Sequence, residues 1–198
     1  MQETVIDFIR HGEPVGGRRY RGDGVDDPLS ERGWQQMWST VGGFAGWDAI
    51  VTSPLQRCHA FASALGEKID CTVRVDPRFR EVGMGAWEGL SPQDIQERDP
   101  EAYAAFYRDP VTNRPRGCEP LAVFGKRVAE AYEEALDGFP GQHVLVVAHA
   151  GVIRAAIGYV LNADPAAWYR AVIDTAGATR FRHSEFGHKL EFHNRSGF

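Results

Sequence analysis

Thr4-Val5-Ile6-Asp7-Phe8-Ile9-Arg10-His11-Gly12 is the stretch on which the fold turns. The run Thr4 to Ile9 has the apolar, β-branched character of a strand. It leads straight into Arg-His-Gly, so a cation and an imidazole arrive at the strand's C-terminal edge. Gly12 leaves room there for close backbone approach. In open α/β sheets that edge is where ligands bind. Later stretches repeat the device. Ala49-Ile50-Val51 leads into Thr52-Ser53-Pro54-Leu55-Gln56-Arg57, and Val144-Leu145-Val146-Val147-Ala148 ends in His149-Ala150-Gly151. Arg80-Glu81 opens the Gly-rich segment Val82-Gly83-Met84-Gly85-Ala86-Trp87-Glu88-Gly89. Arg10, His11, Arg57, Glu81 and His149 are therefore the candidates for a single anionic site.

Strand and helix patterns alternate outward from this start. Ser30 predicts an N-cap for a helix carrying Trp34, Met37, Trp38 and Val41, which Gly42-Gly43 stops. Ser53 and Pro54 predict the start of a helix whose apolar face is Cys58, Phe61, Ala62 and Leu65 and which ends at Gly66. Cys71 to Val75 reads as a short strand. Residues 83–118, richer in Gly, Pro and charge, predict two short helices beginning near Pro92 and Pro100, forming a lid insertion. Leu121, Phe124, Val128, Tyr132 and Ala135 mark a long amphipathic helix ending at Gly138. His143 to Ala148 is the most apolar strand and is expected at the sheet centre. Val152 to Leu161 is the helix behind it, and Ala178–Phe181 and Leu190–His193 suggest terminal strands. The pattern predicts one domain, residues 1–198, with a three-layer α/β/α architecture on a mainly parallel sheet.

Bulk properties narrow the function. The chain has 198 residues, 43% hydrophobic and 25% charged, with a net charge of −5. An acidic balance gives no support to nucleic-acid binding, which favours a basic face. No apolar run is long enough to span a membrane and no signal peptide is visible, so a cytoplasmic location is expected. Cys58, Cys71 and Cys118 have no metal spacing and read as reduced thiols.

The motifs taken together resemble the histidine phosphatase superfamily, in its phosphoglycerate-mutase-like branch. The resemblance rests on Ile9-Arg10-His11-Gly12-Glu13, Asp27-Pro28-Leu29-Ser30-Glu31-Arg32-Gly33 and Ser53-Pro54-Leu55-Gln56-Arg57. It continues through Glu81 with Gly85-Ala86-Trp87-Glu88-Gly89 and Ala148-His149-Ala150-Gly151-Val152-Ile153-Arg154. It implies helices on both faces of a mixed sheet and phosphoryl transfer through a phosphohistidine. Phosphoryl transfer needs a nucleophile, charge neutralisation and a proton for the leaving oxygen. His11 suits the nucleophile if its other ring nitrogen donates to a fixed group, most simply a backbone carbonyl. Arg10 and Arg57 supply forks for phosphate oxygens, with the dipole of the helix carrying Arg57 favouring an anion nearby. His149 supplies a further donor. The resemblance places the acid and base at Glu81, before Gly-x-Trp-Glu-Gly, rather than at Glu88 or Glu13. Arg21, Gly22 and Ala150 complete the expected phosphate-binding set. The arginines and His149 carry the charge, so no metal or other cofactor is expected. Trp87 reads as a packing residue, and His59, His143, His183, His188 and His193 as structural or exposed.

The chain departs from that family at Pro14 and Gly16-Gly17, where a hydroxyl and an amide commonly touch phosphate. Arg18, Arg19 and Arg21 are the candidates to replace them. Ala150 stands where Gly is usual. Gly117-Cys118-Glu119-Pro120 replaces a Gly-Glu-Ser segment. The short insert favours water over a second substrate as acceptor, hence a phosphomonoester hydrolase. Residues 12–22 and 26–30 resemble short bacterial α-ribazole phosphatases, which implies α-ribazole 5′-phosphate of cobalamin assembly as substrate. An open, hydrophobic pocket would support that substrate. The alternatives are a broad-specificity phosphatase, a phosphoglycerate mutase, or a binding protein that keeps the pocket without turnover. The expected partner is a small phosphate monoester, with the chain as monomer or homodimer.

Overall fold

β1 (Thr4–Arg10) sits inside a six-stranded sheet of order β3-β2-β4-β1-β5-β6. The structure is a computed structural model that describes residues 3–198. The other strands are β2 (Ala49–Thr52), β3 (Val73–Val75), β4 (His143–Ala148), β5 (Ala178–Ser184) and β6 (Gly187–Arg195). The helices are α1 (Glu31–Val41), α2 (Gln56–Ile69), α3 (Pro92–Arg98), α4 (Pro100–Arg108), α5 (Leu121–Gly138) and α6 (Ala150–Val160). β1 to β4 run parallel, β5 is antiparallel to β1, and β6 to β5. The expected mixed α/β sheet, with β4 inside it, is what the chain forms.

Alternation along β1 builds two cores. Ile6 and Phe8 face a core shared with α5, α6, α4 and the segment around Trp87, while Ile9 faces α1 and α2 through Met37, Phe61 and Leu65. All four residues of the predicted α2 face, Cys58, Phe61, Ala62 and Leu65, are buried. Trp87, Ile95 and Phe106, from the segment 83–118, are continuous with the first core. Asp7, also fully buried, is held by both side-chain bonds of Arg180 (2.7 and 2.9 Å), by Trp47 Nε1 (2.9 Å) and by His143 Nε2 (2.7 Å). Burial alone would raise its pKa. The hydrogen bonds from Arg180 and His143 outweigh that and hold it below the ordinary value.

Ser30 caps α1 as expected, accepting from Gly33 N, and Gly42 ends it. The start and end of α2 differ from the sequence reading. Its N-cap position is Leu55, and the first-turn amide of Gln56 donates instead to Asp26 Oδ1 at 2.8 Å. Gly66 lies inside the helix, which runs on to Ile69 and ends on the left-handed Asp70. Gly66 is there for space: a Cβ would lie 2.4 Å from Val73 Cγ2 and 2.8 Å from Cys71 O. No helix among the described residues is long and apolar enough to cross a membrane.

Candidate active site

The parallel register delivers the site. Arg10 pairs with Ala148 and Thr52 with Val147, so His11, Ser53 and His149 are the next residues at one edge of the sheet. His11 N donates to Ala148 O at 2.9 Å and Ser53 N to Val147 O at 3.0 Å. The two imidazoles end up with ring centroids 5.2 Å apart.

His11 Nδ1 lies 2.8 Å from Gly12 O. A carbonyl can only accept, so Nδ1 carries the proton and Nε2 keeps its lone pair. The carbonyl that the sequence left unnamed is thus the next residue's own. Gly12 is needed for this close packing, because a Cβ there would lie 2.2 Å from Gly33 O. Burial and the charges of Arg10 and Arg57 hold the His11 imidazole well below its ordinary pKa, which keeps the ring neutral. Burial, Arg57 and His11 do the same to His149. His149 Nε2 is 2.7 Å from Ser53 Oγ and 3.5 Å from Cys58 Sγ. Cys58 donates to Ala148 O, and burial pushes its thiol pKa up. It is therefore an inert packing group against the ring.

Arg57 is fully buried beneath the loop after β1, its fork donating to Val25 O (2.9 Å) and Gly22 O (3.0 Å). The N-terminus of α2 beside it holds the Asp26 carboxylate, so that loop already supplies an anion. Arg10 donates from Nη1 to Ile173 O at 2.6 Å, and burial pushes its pKa down to about 10. The charges of Glu81, Arg154, Asp174 and Arg57 all reach it.

Glu81 lies at the start of α6. Its oxygens accept from Val82 N (2.9 Å) and Gly151 N (3.2 Å). The rival carboxylates are elsewhere. Glu88 accepts from Met84 N and fills the space beside Gly22 and Gly24. Glu13 faces outward beside Arg32. The Glu81 segment is clamped by Arg127 of α5, which donates to the carbonyls of Arg78 (2.5 Å), Arg80 (2.8 Å) and Glu81 (3.0 Å) while pairing with Glu119. Nothing local in the sequence marks Arg127, since its partners are backbone carbonyls 46 to 49 residues away.

The rest of the expected set has other company. Arg21 pairs with Asp27 and donates to Val15 O and Gly17 O, so it shapes the loop, although its charge still reaches His11. Gly22 has φ +54°, gives its carbonyl to Arg57, and has no room for a Cβ beside Glu88 and Met84 N. Ala150 opens α6 beside the Glu81 seat. Arg18 and Arg19 are exposed. The site is closed rather than open and apolar: His11 is 5% exposed, Arg57 and His149 0%. Tyr20 and Tyr107 join hydroxyls at 2.6 Å, and Tyr169 packs on Phe106. Among the described residues no group of three or more His, Cys, Asp or Glu is placed to hold a metal ion.

Two basic forks and two neutral imidazoles at the edge of a sheet of this topology define an anion-handling α/β protein. The sequence profile of the histidine phosphatase superfamily (branch 1) matches residues 6–196, and the chain belongs to that superfamily. It is similar to a bifunctional protein of Mycobacterium tuberculosis, 35% identical over 177 residues, covering 87% of this chain and 48% of the relative. The chain thus spans about half the length of that relative. The glucosyl-3-phosphoglycerate phosphatase of M. tuberculosis is 36% identical over 180 residues, covering 85% of this chain and 80% of the relative. The adenosylcobalamin/alpha-ribazole phosphatase of Salmonella typhimurium is 32% identical over 169 residues, covering 82% of each chain. The solved structure of a mycobacterial hydrolase superposes with a TM-score of 0.88 at 28% identity, covering 98% of this chain and 99% of the other.

Proposed function

We propose that the protein hydrolyses phosphomonoesters through a phosphohistidine on His11. The observation that carries this is the locked tautomer: Nδ1–H on Gly12 O leaves Nε2 as a neutral nucleophile beside Arg10, Arg57 and His149. Nε2 attacks phosphorus and the bond to the alcohol oxygen breaks. Arg10, Arg57 and His149 bind the phosphoryl oxygens. Glu81, held at the start of α6, gives its proton to the departing oxygen. Glu81 then takes a proton from water, the water oxygen bonds to phosphorus, the phosphorus–nitrogen bond breaks, and inorganic phosphate leaves. Residues 83–118, tied to the loop after β1 through Tyr20 and Tyr107, act as the lid.

α-Ribazole 5′-phosphate finds support in the loop likeness and in the Salmonella relative. The closed site offers less to a benzimidazole than an open apolar recess would. The reaction class, rather than that substrate, is the reading the geometry favours. The test is single turnover with a 32P-labelled monoester, followed by an alkaline quench. An alkali-stable, acid-labile phosphoprotein, absent from His11→Ala, is expected, together with phosphate release. Conversion of 3- to 2-phosphoglycerate without net phosphate release would move the protein to the mutases. No phosphoenzyme and no turnover of any phosphomonoester tried would refute the enzyme reading.

A further inference from the structure

The outermost hairpin of the sheet sets two histidines against each other. β5 and β6 meet through the turn Glu185-Phe186, and their register pairs His183 with His188. Phe181, two residues before His183, is buried against Tyr132 of α5, so period-two alternation turns both imidazoles to that face. His188 packs there on Tyr132 and on Tyr159 of α6, with ring centroids 5.6 Å from each. Arg182 lies on the other face and is taken up by Glu3 and Glu191. His183 Nδ1 and His188 Nδ1 stand 3.1 Å apart, yet the ring centroids are only 4.5 Å apart, with planes inclined at 42°. Nitrogens meeting head-on would hold the ring centres farther apart, so the two lone pairs are turned off the line between them. Chelation of a common ion requires that turn, and a straight N–H···N bond does not. Two nitrogens each about 2.0–2.1 Å from one ion, at right-angled to tetrahedral bond angles, lie about 2.9–3.4 Å apart. The far nitrogen of His188 is also provided for. Glu133 Oε1 of α5 lies 3.5 Å from Nε2 and accepts from the Tyr159 hydroxyl at 2.8 Å. A carboxylate on that side favours the proton on Nε2 and the lone pair on Nδ1. Burial holds His188 below its ordinary pKa, which keeps the ring unprotonated. Tyr132 adds an independent sign. Its hydroxyl is buried without a hydrogen-bond partner among the described residues, and its ring lies against His188. A buried hydroxyl with no protein partner marks the neighbourhood of a bound water or ion.

We propose that His183 and His188 chelate a divalent transition-metal ion, Zn²⁺ foremost, through their Nδ1 atoms, with Glu133 bracing His188 from behind. Imidazole suits Zn²⁺, Ni²⁺ and Cu²⁺, whereas Mg²⁺ and Ca²⁺ prefer oxygen donors. The protein supplies two ligands, and water completes the coordination. The proton that His183 holds between the rings shifts to its Nε2 when the ion enters. The ion fastens the hairpin at its turn. It stands apart from the phosphatase chemistry: His183 pairs with Thr4 and Ala178 with Ile9, which sets the pair about 17 Å along β1 from the catalytic edge.

Calorimetric titration of the full chain with Zn²⁺ tests it, with Mg²⁺ as the comparison ion. One Zn²⁺ per chain is expected, and no Mg²⁺. Glu133→Gln should weaken binding about tenfold, and losing a direct ligand in His183→Gln or His188→Gln should cost at least that. Zn²⁺ at about 100 times its Kd should raise the wild-type Tm by about 5–10 °C and leave both histidine variants unmoved. His11→Ala and His59→Gln should bind as the wild type does. Melting without metal checks that each variant keeps its fold. On the wild type itself, nitrogen-15 NMR should show Zn²⁺ shifting Nδ1 of both His183 and His188. No uptake of Zn²⁺, uptake undiminished in His183→Gln and His188→Gln, uptake lost in His11→Ala, or uptake with neither Nδ1 resonance moved would overturn the site. None of these readouts is turnover, so failure of the phosphatase reading leaves the test standing.

Discussion

Replacing Arg127 by Met tests how Glu81, the proposed acid, is held. The guanidinium is 11% exposed, donates to three carbonyls of residues 78–81, and pairs with Glu119, itself 14% exposed. Met keeps the packing on Phe124, over which Cζ now lies at 4.5 Å, and removes every polar contact. Stripping one partner from a largely buried ion pair costs about 3–5 kcal/mol, a range that includes the carbonyls left without donors. For a chain of this size that lowers Tm by about 10 °C. The freed segment no longer fixes Glu81. A displaced proton donor loses part of the roughly 10²- to 10⁴-fold that general acid catalysis supplies. We expect kcat for an alkyl phosphate to fall about tenfold to a hundredfold. With p-nitrophenyl phosphate, whose leaving group departs without a proton, the fall should be much smaller. Steady-state kinetics on both esters, below the melting range of the variant, gives the comparison. A Tm loss accompanied by equal changes in the two kcat values would refute the reasoning, because Arg127 would then act on the fold alone.

Three further outcomes are expected. Gly12→Ala, which forces a Cβ against Gly33 O, should cost about 1–3 kcal/mol in denaturant unfolding and slow phosphoenzyme formation. Unchanged stability would mean that α1 yields freely. Asp7→Asn should destabilise the fold by about 3–5 kcal/mol at neutral pH by leaving Arg180 and His143 without their anion. Because the folded pKa of Asp7 is depressed, the wild-type contribution is present above the unfolded carboxylate value and lost as pH falls below it. Stability curves for wild type and variant should therefore converge in acid. Nitrogen-15 NMR should find His11 and His149 neutral at pH 6, with His11 protonated on Nδ1, and either ring titrating near its ordinary value would contradict the buried geometry. With both pKa values depressed, the stability these neutral rings provide is full above the unfolded imidazole value and declines below it.

The parts legible in the sequence are those with a local signature. The hydrophobic runs of β1 and β4, the Ser30 cap and the apolar stripe of α5 each announce themselves within a few residues. Arg10, His11, Arg57, Glu81 and His149 each follow a strand or sit in a short motif, and parallel pairing carries the strand ends to one edge. What depended on distant backbone was hidden. Asp26 meets the first-turn amide of α2, while Ser53 reaches only the amide of the N-cap residue Leu55 and turns its hydroxyl to His149. Gly66 looked like a helix stop, yet it answers to Val73 across a loop. Arg21 offered a plausible phosphate fork, but Asp27 and two carbonyls of its own loop claim it. Arg154 carries no local hint of the segment that anchors it, since its partner Ala171 O lies 17 residues on.

The loop after β1 clasps Arg57 through Val25 and Gly22 and lends Asp26 to α2. This divides the molecule into inherited machinery and replaceable trim. Any rearrangement of residues 22–26 drags Arg57, the proposed phosphate fork, with it, so that loop can drift little without loss of the proposed chemistry. Segment 169–173 shares that burden, because Ile173 O holds Arg10, whereas the exposed Glu101, Ala104 and Arg108 of α4 carry no such double duty. Specificity can be re-engineered there by grafting, while the catalytic frame stays untouched.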